Sequence, residues 1–364
     1  MSRFRDFLKK KDIVFSGKRY GIDALGAMAQ GLFCTLLVGT ILNTIGQQLK
    51  ISFLNEIIAT IGKGDGAVSY TIGGLASAMV GPGIAIAIGF ALHCPPLVLF
   101  SLIPVGFAAN AMGGAGGPLA VYFVAILASE CGKLVSKETK IDILVTPIVT
   151  ILVGIGFSAL VAAPIGTAAN AVGEAVRWAT TQQPFLMGIL VSIIIGIALT
   201  LPISSAAICA ALSLTGLAGG AALAGCCAQM VGFAVMSFRE NRWGGLVAQG
   251  IGTSMLQMPN IVKNPKIWIP PILASAITGP LATCLFKLEM NGAAVSSGMG
   301  TCGFVGQIGV YTGWLSDPQK IITPADWIGL LLVCFILPAL LSWAFCLILR
   351  KIGWIKKDDL KLEL

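Results

Sequence analysis

The sequence predicts an all-α integral membrane protein with about ten transmembrane helices. Its 364 residues are 56% hydrophobic and 11% charged, and the mean hydropathy is +0.89. Ordinary soluble domains carry about 25% charged residues, so this composition excludes a soluble enzyme. Apolar runs of about 20 residues each use most of the chain and leave little length for an extramembrane domain.

Apolar runs recur along the whole chain after a basic head at residues 1–20. They lie at about 21–49, 67–92, 96–111, 118–135, 141–163, 185–203, 206–238, 267–287 and 325–350. The run at 206–238 is long enough for a hairpin that turns at residues 216–220, and counting it twice gives about ten crossings.

The distribution of Lys and Arg predicts that both chain ends lie in the cytoplasm. The net charge is +8, and basic residues concentrate before the first apolar run and after the last one. Two internal groups, Lys133 with Lys137 and Lys140, and Arg239 with Arg242, fall on the same side, as the positive-inside rule requires. The charge therefore favours contact with membrane lipid, and no nucleic-acid partner is expected.

The ten cysteines are expected to be small buried apolar residues, because all lie in or beside apolar runs without paired spacing. His93 is the only histidine. It is either a hydrogen-bonded structural residue or a proton carrier. The sequence has no ATP-binding G-x-x-x-x-G-K-[ST] motif and no phosphoryl-transfer constellation, so we expect no catalytic residue, no metal and no cofactor.

Three stretches interrupt the apolar runs with glycine, proline and small polar residues, at 112–118, 201–205 and 289–307. Backbone that leaves a helix at membrane depth must be buried in protein or line a wet cavity, and transporters place substrate sites at such breaks. The alternative is ordinary helix packing, since glycine and proline are common in membrane helices.

Glu289 is the acidic residue that the sequence singles out, because it follows an apolar run and precedes a glycine-rich stretch. A carboxylate at membrane depth is costly, which favours a role in binding solute hydroxyls or carrying a proton. The alternative is an interfacial residue paired with Lys287. Asp23, Glu130 and Asp142 lie at the ends of runs near basic residues, where we expect a solvated or snorkelling role.

The segment 248–266 contributes a second polar group. Gln249, Gln257 and Asn260 alternate with small residues, and Gln229 lies on the preceding run. Neutral amides in an apolar wall suit a polyhydroxylated or amide-bearing ligand. The alternative is that they join helices to one another through hydrogen bonds.

The second half of the chain resembles a known family. The segments "LPISSAAI" at 201–208, "QGIGTSMLQMPNIVKNPK" at 249–266 and "GMGTCGFVGQ" at 298–307 are similar to EIIC-like membrane proteins of the bacterial phosphotransferase system. They resemble the stand-alone branch that includes PfoR-type regulators. The resemblance extends over about residues 15–350.

This resemblance implies a permease with two re-entrant hairpins, EIIC-like scaffold and transport halves, and an elevator-type motion. The scaffold and dimerisation half would be 21–184, the substrate-binding half 185–350 and the cytoplasmic tail 351–364. Glu289 would bind a sugar, although "KLEMNG" differs from the Glu-Pro context of sugar permeases. No phosphoryl-carrying domain is fused, so phosphorylation would need separate EIIA and EIIB proteins.

The sequence thus predicts a homodimeric permease of the bacterial inner membrane that binds a small polar solute. The expected solute-binding residues are Glu289, Asn291, Ser204, Ser205, Gln257, Asn260, Thr301, Gln307, Gln249 and His93. Two alternatives stay open: a proton-coupled secondary carrier for a non-sugar metabolite, and a membrane sensor that binds a metabolite without transport.

Overall fold

The computed structural model describes residues 2–48, 50–62 and 66–362, which are almost entirely helical. The chain forms two compact units, Met1–Thr167 and Ala168–Leu364. The boundary lies inside one long helix, α9. The prediction that the halves act as a scaffold and a substrate-binding part is a statement about function, and it stays a prediction.

The first unit contains helices α1 to α8 and most of α9. Their bounds are α1 Ser2–Lys10, α2 Ala24–Leu32, α3 Val38–Gln48, α4 Ser52–Asn55, α5 Ile72–Ala78, α6 Val80–Ala91, α7 Pro96–Gly113, α8 Gly117–Val135 and α9 Asp142–Thr180. Two short strands, β1 Ala59–Ile61 and β2 Val68–Tyr70, form an antiparallel hairpin with Thr60 opposite Ser69. Helix α9 continues through Pro164 to Thr180, so the predicted run ending at 163 was too short.

Helices α7 and α8 form an antiparallel hairpin. A Cβ atom built on Gly132, near the end of α8, would lie 2.7 Å from Cγ1 of Val98, near the start of α7. The turn between them is the short 3₁₀ segment Gly114–Gly116, in which Gly114 has a φ of 52°. The predicted interruption at 112–118 therefore connects two helices.

One end of the first unit carries a dense group of charged residues. Lys133 donates to the carbonyls of Asp12 and Leu92 at 3.0 and 3.1 Å and pairs with Glu130 at 2.8 Å. Lys133 is 1% exposed and Glu130 8% exposed. The expectation of a solvated or snorkelling role for Glu130 was wrong, because the N-terminal segment and the residue after α6 bury this end of α8.

The second unit contains the rest of α9 and helices α10 to α18. Their bounds are α10 Pro184–Thr200, α11 Ser205–Ala211, α12 Gly216–Met236, α13 Phe238–Val247, α14 Met258–Lys263, α15 Ile269–Pro280, α16 Val305–Ser316, α17 Pro324–Leu331 and α18 Leu337–Lys351. Single π-helical turns at 248–252, 281–285 and 332–336 interrupt or extend these helices. Such turns are frequent at functional sites.

Helix α12 is the centre of the second unit, and 89% of its most apolar 18-residue stretch is buried. Helix α10 runs parallel to it, since Ile195 lies against Cys226 and Thr200 against Gln229. Helix α15 runs antiparallel to it, with Ser275 against Gly225 and Pro271 beside Gly232. An α-helix of this length measures about 30 Å, which is the thickness of a bilayer core.

The turn predicted at residues 216–220 was misplaced. These residues form the first turn of α12, and the chain turns at 212–215 instead. Gly216 has a φ of 63°, a conformation that glycine adopts without steric cost. Helix α11 has only seven residues and is too short to cross a membrane.

Among the described residues, six helical segments are long and apolar enough to cross a membrane. The pair α5 and α6, bent by 54°, would make a seventh, and Pro184–Thr200 is a shorter apolar helix. The segment Pro96–Val135 counts as one of the six, although it consists of the two antiparallel helices α7 and α8. The expected total of about ten crossings remains a prediction.

Candidate functional site

The segment that follows α15 binds to the first turn of α12. Met290 and Gly216 form an antiparallel bridge through two backbone hydrogen bonds of 3.0 Å each. One turn further along α12, a Cβ atom on Gly220 would lie 1.8 Å from the carbonyl oxygen of Leu288. Gly220 therefore permits a close approach within this chain, whereas Gly216 supplies the positive φ of 63° at the start of the helix.

Residues 290–316, which we call the C-terminal hairpin, run along α12 and then return. The outward arm ends near Thr301, whose hydroxyl contacts Sδ of Met230 at 3.6 Å. Met230 lies 14 positions after Gly216, so this arm descends about 20 Å along α12. The return arm is α16: a Cβ atom on Gly313 would lie 2.9 Å from Cβ of Asn291.

The two interrupted stretches of the second unit meet. Ser205, at the start of α11, donates to the carbonyl of Gly298 at 2.8 Å. Ser297 donates to the carbonyl of Leu214 at 2.7 Å. Ser204 caps α11 by accepting from the backbone N–H of Ala207 at 3.2 Å. Serine hydroxyls of each break thus donate hydrogen bonds to free backbone carbonyls at the other, as buried non-helical backbone requires.

Glu289 and Asn291 lie at the base of the C-terminal hairpin, where both side chains are exposed. The amide nitrogen of Asn291 donates to Oε2 of Glu289 at 2.9 Å, and its oxygen accepts from the backbone N–H of Gly216 at 3.1 Å. Asn291 therefore fixes the carboxylate beside the N-terminal end of α12. That end of a helix stabilises negative charge.

Two buried glutamines lie deeper along α12. Gln307 donates to Sγ of Cys227 at 3.3 Å, and Gln229 accepts from the indole of Trp268 at 2.9 Å and from Thr200 at 3.3 Å. Within the described part of the chain, Oε1 of Gln307 and Nε2 of Gln229 have no hydrogen-bond partner. Each leaves one amide group available to a ligand or a water.

Thr200, Ser254 and Trp268 were not among the residues expected from the sequence. Thr200 and Ser254 join through their hydroxyls at 2.8 Å beside Gln229. Ser254 lies inside the polar 248–266 segment, whereas Thr200 and Trp268 are polar residues at the edges of apolar runs and no sequence pattern marks them. The three residues meet only because α10, the 254–257 turn and the 265–268 turn all pack beside Gln229 of α12.

Gln249, Gln257 and Asn260 form a continuous chain of amides. Gln257 donates to Oε1 of Gln249 at 2.8 Å, and Asn260 donates to Oε1 of Gln257 at 2.9 Å. The remaining hydrogens point to the C-terminal tail: Gln257 donates to the carbonyl of Leu360 at 3.0 Å and Asn260 to that of Lys361 at 2.8 Å. These amides bind the tail at the opposite end of α12 from Glu289.

His93 belongs to the first unit, where its Nδ1 lies 3.0 Å from Oδ2 of Asp12. Arg19 also binds Asp12 with two hydrogen bonds, of 3.0 and 2.8 Å. The Arg19 guanidinium lowers the pKa of Asp12 to about 2. The structure therefore gives His93 a charged partner at the surface, and its role in solute binding stays a prediction.

The comparisons with known proteins identify the family. The model of the family described as the phosphotransferase system, EIIC, matches residues 22–362. The chain belongs to this family. No curated protein and no solved structure matches it. The resemblance noted in the sequence is thereby confirmed.

Membership of the EIIC family and the apolar helices make the protein a multi-pass membrane protein of the sugar-transport type. Its place in the phosphotransferase system suggests a polar solute and EIIB and EIIA proteins as partners. Among the described residues, no group of three His, Cys, Asp or Glu side chains could hold a metal ion.

Proposed function

We propose that this EIIC protein binds a small polar solute, a sugar, at the base of the C-terminal hairpin and moves it across the bacterial inner membrane. The observation that carries the proposal is the carboxylate of Glu289, held by Asn291 at the N-terminal end of α12. An exposed, oriented carboxylate on non-helical backbone is suited to accepting hydrogen bonds from two neighbouring hydroxyls of a sugar.

The surrounding residues would complete the site. Asn291 offers a second polar contact beside Glu289, and Ser204 lies at the half-buried start of α11. Ser205 and Thr301 hold the hairpin to its neighbours through hydrogen bonds to backbone carbonyls. Gln307 would present its unpaired Oε1 to a solute that moves deeper along α12.

Translocation would use an elevator-type motion, with residues 185–350 as the moving half and 21–184 as a dimerising scaffold. The division of the chain into two compact units supports two halves with separate tasks. The C-terminal hairpin and the 201–215 segment would be re-entrant: the hairpin leaves the membrane on the side where it entered, and the 201–215 segment returns from the deep end of α10 to the Glu289 end. The outward arm of the C-terminal hairpin extends about 20 Å along α12, which is less than the thickness of about 30 Å of a bilayer core and supports this arrangement.

The charges of the second unit support a cytoplasmic C-terminal end. The end of α12 that carries the tail is strongly basic, whereas the Glu289 end has few cations. The basic residues at the tail end are Arg239, Arg242, Lys263, Lys266, Arg350, Lys351, Lys356, Lys357 and Lys361. Arg177, Lys287 and Lys320 lie at the other end. By the positive-inside rule, Glu289 would face the outer side.

Phosphorylation of the solute would require separate EIIB and EIIA proteins at the cytoplasmic face. This chain would position the solute and exclude water, which can supply much of the reduction in the activation barrier of phosphoryl transfer. Dependence of uptake on phosphoenolpyruvate would distinguish this function from a proton-coupled carrier, and absence of any flux would favour a sensor.

The experiment that tests the site is a thermal-shift screen of the detergent-purified protein against sugars, polyols, nucleosides and organic acids. A ligand that binds only the native state raises the unfolding temperature by mass action. We expect one sugar class to stabilise the protein and Glu289→Gln to abolish that shift. Glu174→Gln is the matched control, because Glu174 forms only an exposed pair with Arg177. A shift indifferent to Glu289→Gln would overturn the proposal.

A further inference from the structure

The C-terminal tail is bound to the second unit as a peptide ligand would be. After α18 ends at Lys351, residues 352–362 fold back over the cytoplasmic end of this unit. Four uncharged amide side chains hold the tail, mainly through its backbone. They are Asn241, Gln257, Asn260 and Asn264. We call these four residues the amide groove.

The carbonyl of Leu360 is the centre of this contact. It accepts one hydrogen bond from Asn241 at 2.7 Å and another from Gln257 at 3.0 Å, which fills both of its lone pairs. The oxygen of Asn241 then accepts from the backbone N–H of Leu362 at 2.8 Å. Asn241 thus binds the tail backbone as a neighbouring β-strand would.

Two apolar side chains anchor the tail. Ile355 is 2% exposed and Leu360 is fully buried, whereas Lys356, Lys357 and Asp358 are exposed. A cleft of about 270 Å³ remains beside the tail, lined by Asn260, Lys263, Asp358, Asp359 and Lys361. The contact therefore combines two buried side chains and several neutral hydrogen bonds with incomplete packing. Such a segment opens at lower free energy than a packed helix.

The amide groove is connected to the tip of the C-terminal hairpin. Gln257 donates one hydrogen to the tail and the other to Gln249. Gln249 belongs to the π-helical turn Ala248–Gly252. Within that turn, the carbonyl of Gly250 accepts from the hydroxyl of Thr301 at 2.5 Å. The tail is thus linked to this short turn through Gln257, which binds Gln249, while the hairpin tip binds Gly250 of the same turn directly.

We propose that the amide groove is a reversible binding site for an extended peptide backbone, and that Trp354–Leu362 of this chain is its occupant, acting as a latch. With the latch bound, the 248–252 turn is held and the hairpin tip is fixed. When the latch dissociates, the groove amides form hydrogen bonds with water instead, and the hairpin tip is released. A released tip would affect transport only if the hairpin binds the solute, and in this respect the inference rests on the proposed function.

The first test is hydrogen exchange of the full-length wild-type protein in lipid nanodiscs. We expect tail amides 354–362 to exchange at least tenfold faster than those of α12, yet at least tenfold slower than in a free peptide of residues 352–362. Exchange at the rate of α12 would mean a permanent structural strand. Exchange at the rate of the free peptide would mean an unbound tail. Either result overturns the latch.

The second test vacates the groove. A tethered tail has an effective concentration of millimolar order, so a free peptide competes poorly with it. Leu360→Asp places a charge in the buried position and should release the tail. A fluorescent peptide of residues 352–362 should then bind the variant at least tenfold more tightly than the wild type. Adding Gln257→Leu should weaken that binding at least tenfold.

The same variant tests the connection to the hairpin. In Leu360→Asp protein, the amides of Cys302 and Phe304 at the tip should exchange at least threefold faster, while those of α10 stay unchanged. Lys357→Ala is the control, because the side chain of this tail residue is exposed. Equal peptide binding to wild type and Leu360→Asp, or binding that ignores Gln257→Leu, would overturn the inference. No solute is present, so these results are independent of the sugar site.

Discussion

Gly220 of α12 lies directly against the carbonyl oxygen of Leu288, with 1.8 Å between that oxygen and the position a Cβ atom would occupy. This approach lets Met290 pair with Gly216 and sets the base of the C-terminal hairpin. The presence of glycine at position 220 is therefore a condition for the position of Glu289.

Substituting Gly220→Ala should lower the stability of the protein by about 1–3 kcal/mol, because the added methyl group forces backbone apart. The unfolding temperature in detergent measures this. Gly244→Ala is the control, since a Cβ atom there meets nothing within 4 Å and alanine favours a helix. Equal effects of both substitutions would contradict the described contact.

The buried pair Lys133 and Glu130 should behave as a coupled unit. Lys133→Met removes the ion-pair partner of the Glu130 carboxylate, which keeps a hydrogen bond from the hydroxyl of Tyr20 at 3.0 Å, and should cost about 3–5 kcal/mol. Combining it with Glu130→Gln should recover at least about 1 kcal/mol of this loss, because the buried carboxylate that has lost its ion-pair partner becomes neutral. Thermal unfolding of the two single variants and the double variant tests the coupling. Additive effects of the two substitutions on stability would contradict the coupling. Lys140→Met is the control and should leave the stability unchanged, because Lys140 is exposed.

Acid should weaken the N-terminal contact through Asp12. Its pKa falls from the usual 3.8 to about 2 in the folded protein, chiefly because Arg19 binds the carboxylate. A lowered folded pKa gives stability that is present above about pH 4 and is lost as pH falls towards 2. Since the Asp12 side chain is 48% exposed, solvent screening limits the loss to about 1 kcal/mol.

Asp12→Asn should flatten this acid dependence. The unfolding temperature of the variant should change less between pH 5 and pH 2.5 than that of the wild type, while the two proteins differ most at the higher pH. An identical pH profile for both proteins would show that Asp12 does not contribute.

Asn291→Ala should weaken solute binding about tenfold with little change in stability. The side chain holds one oxygen of Glu289 and sits at the exposed base of the hairpin, so its loss removes about one net hydrogen bond to the site. The ligand concentration giving half of the thermal shift measures this. Gln319→Ala, at an exposed residue near the same end of the unit, should leave the affinity unchanged.

The proposed orientation predicts opposite labelling of two engineered cysteines. With the exposed Cys34 and Cys284 replaced by serine, Gln319→Cys should react with a membrane-impermeant maleimide in intact cells. Lys357→Cys, in the tail, should react only after the cells are permeabilised. The reverse pattern would place the chain ends outside and contradict the positive-inside assignment.

Residue patterns were sufficient for the local features of this protein. Apolar runs predicted the helices because burial in lipid requires about 20 consecutive apolar residues, and "EIIC-like" segments predicted the family that the comparison confirmed. Glycine, proline and serine marked the breaks at 201–205 and 289–307, since these residues favour non-helical backbone. The N-terminal cap at Ser204 is of the same local kind.

The partners of those residues were decided by tertiary structure alone. Ser205 and Gly298 are 93 positions apart, and Gln257 and Leu360 are 103 apart, so no periodicity links them. Amides that suit a solute also suit a peptide backbone, because both offer the same donors and acceptors. Sequence by itself determined which residues are polar in an apolar chain. Only the packing of α10, α15 and the tail around α12 determined what each of them binds, because hydrogen bonds depend on distance in space.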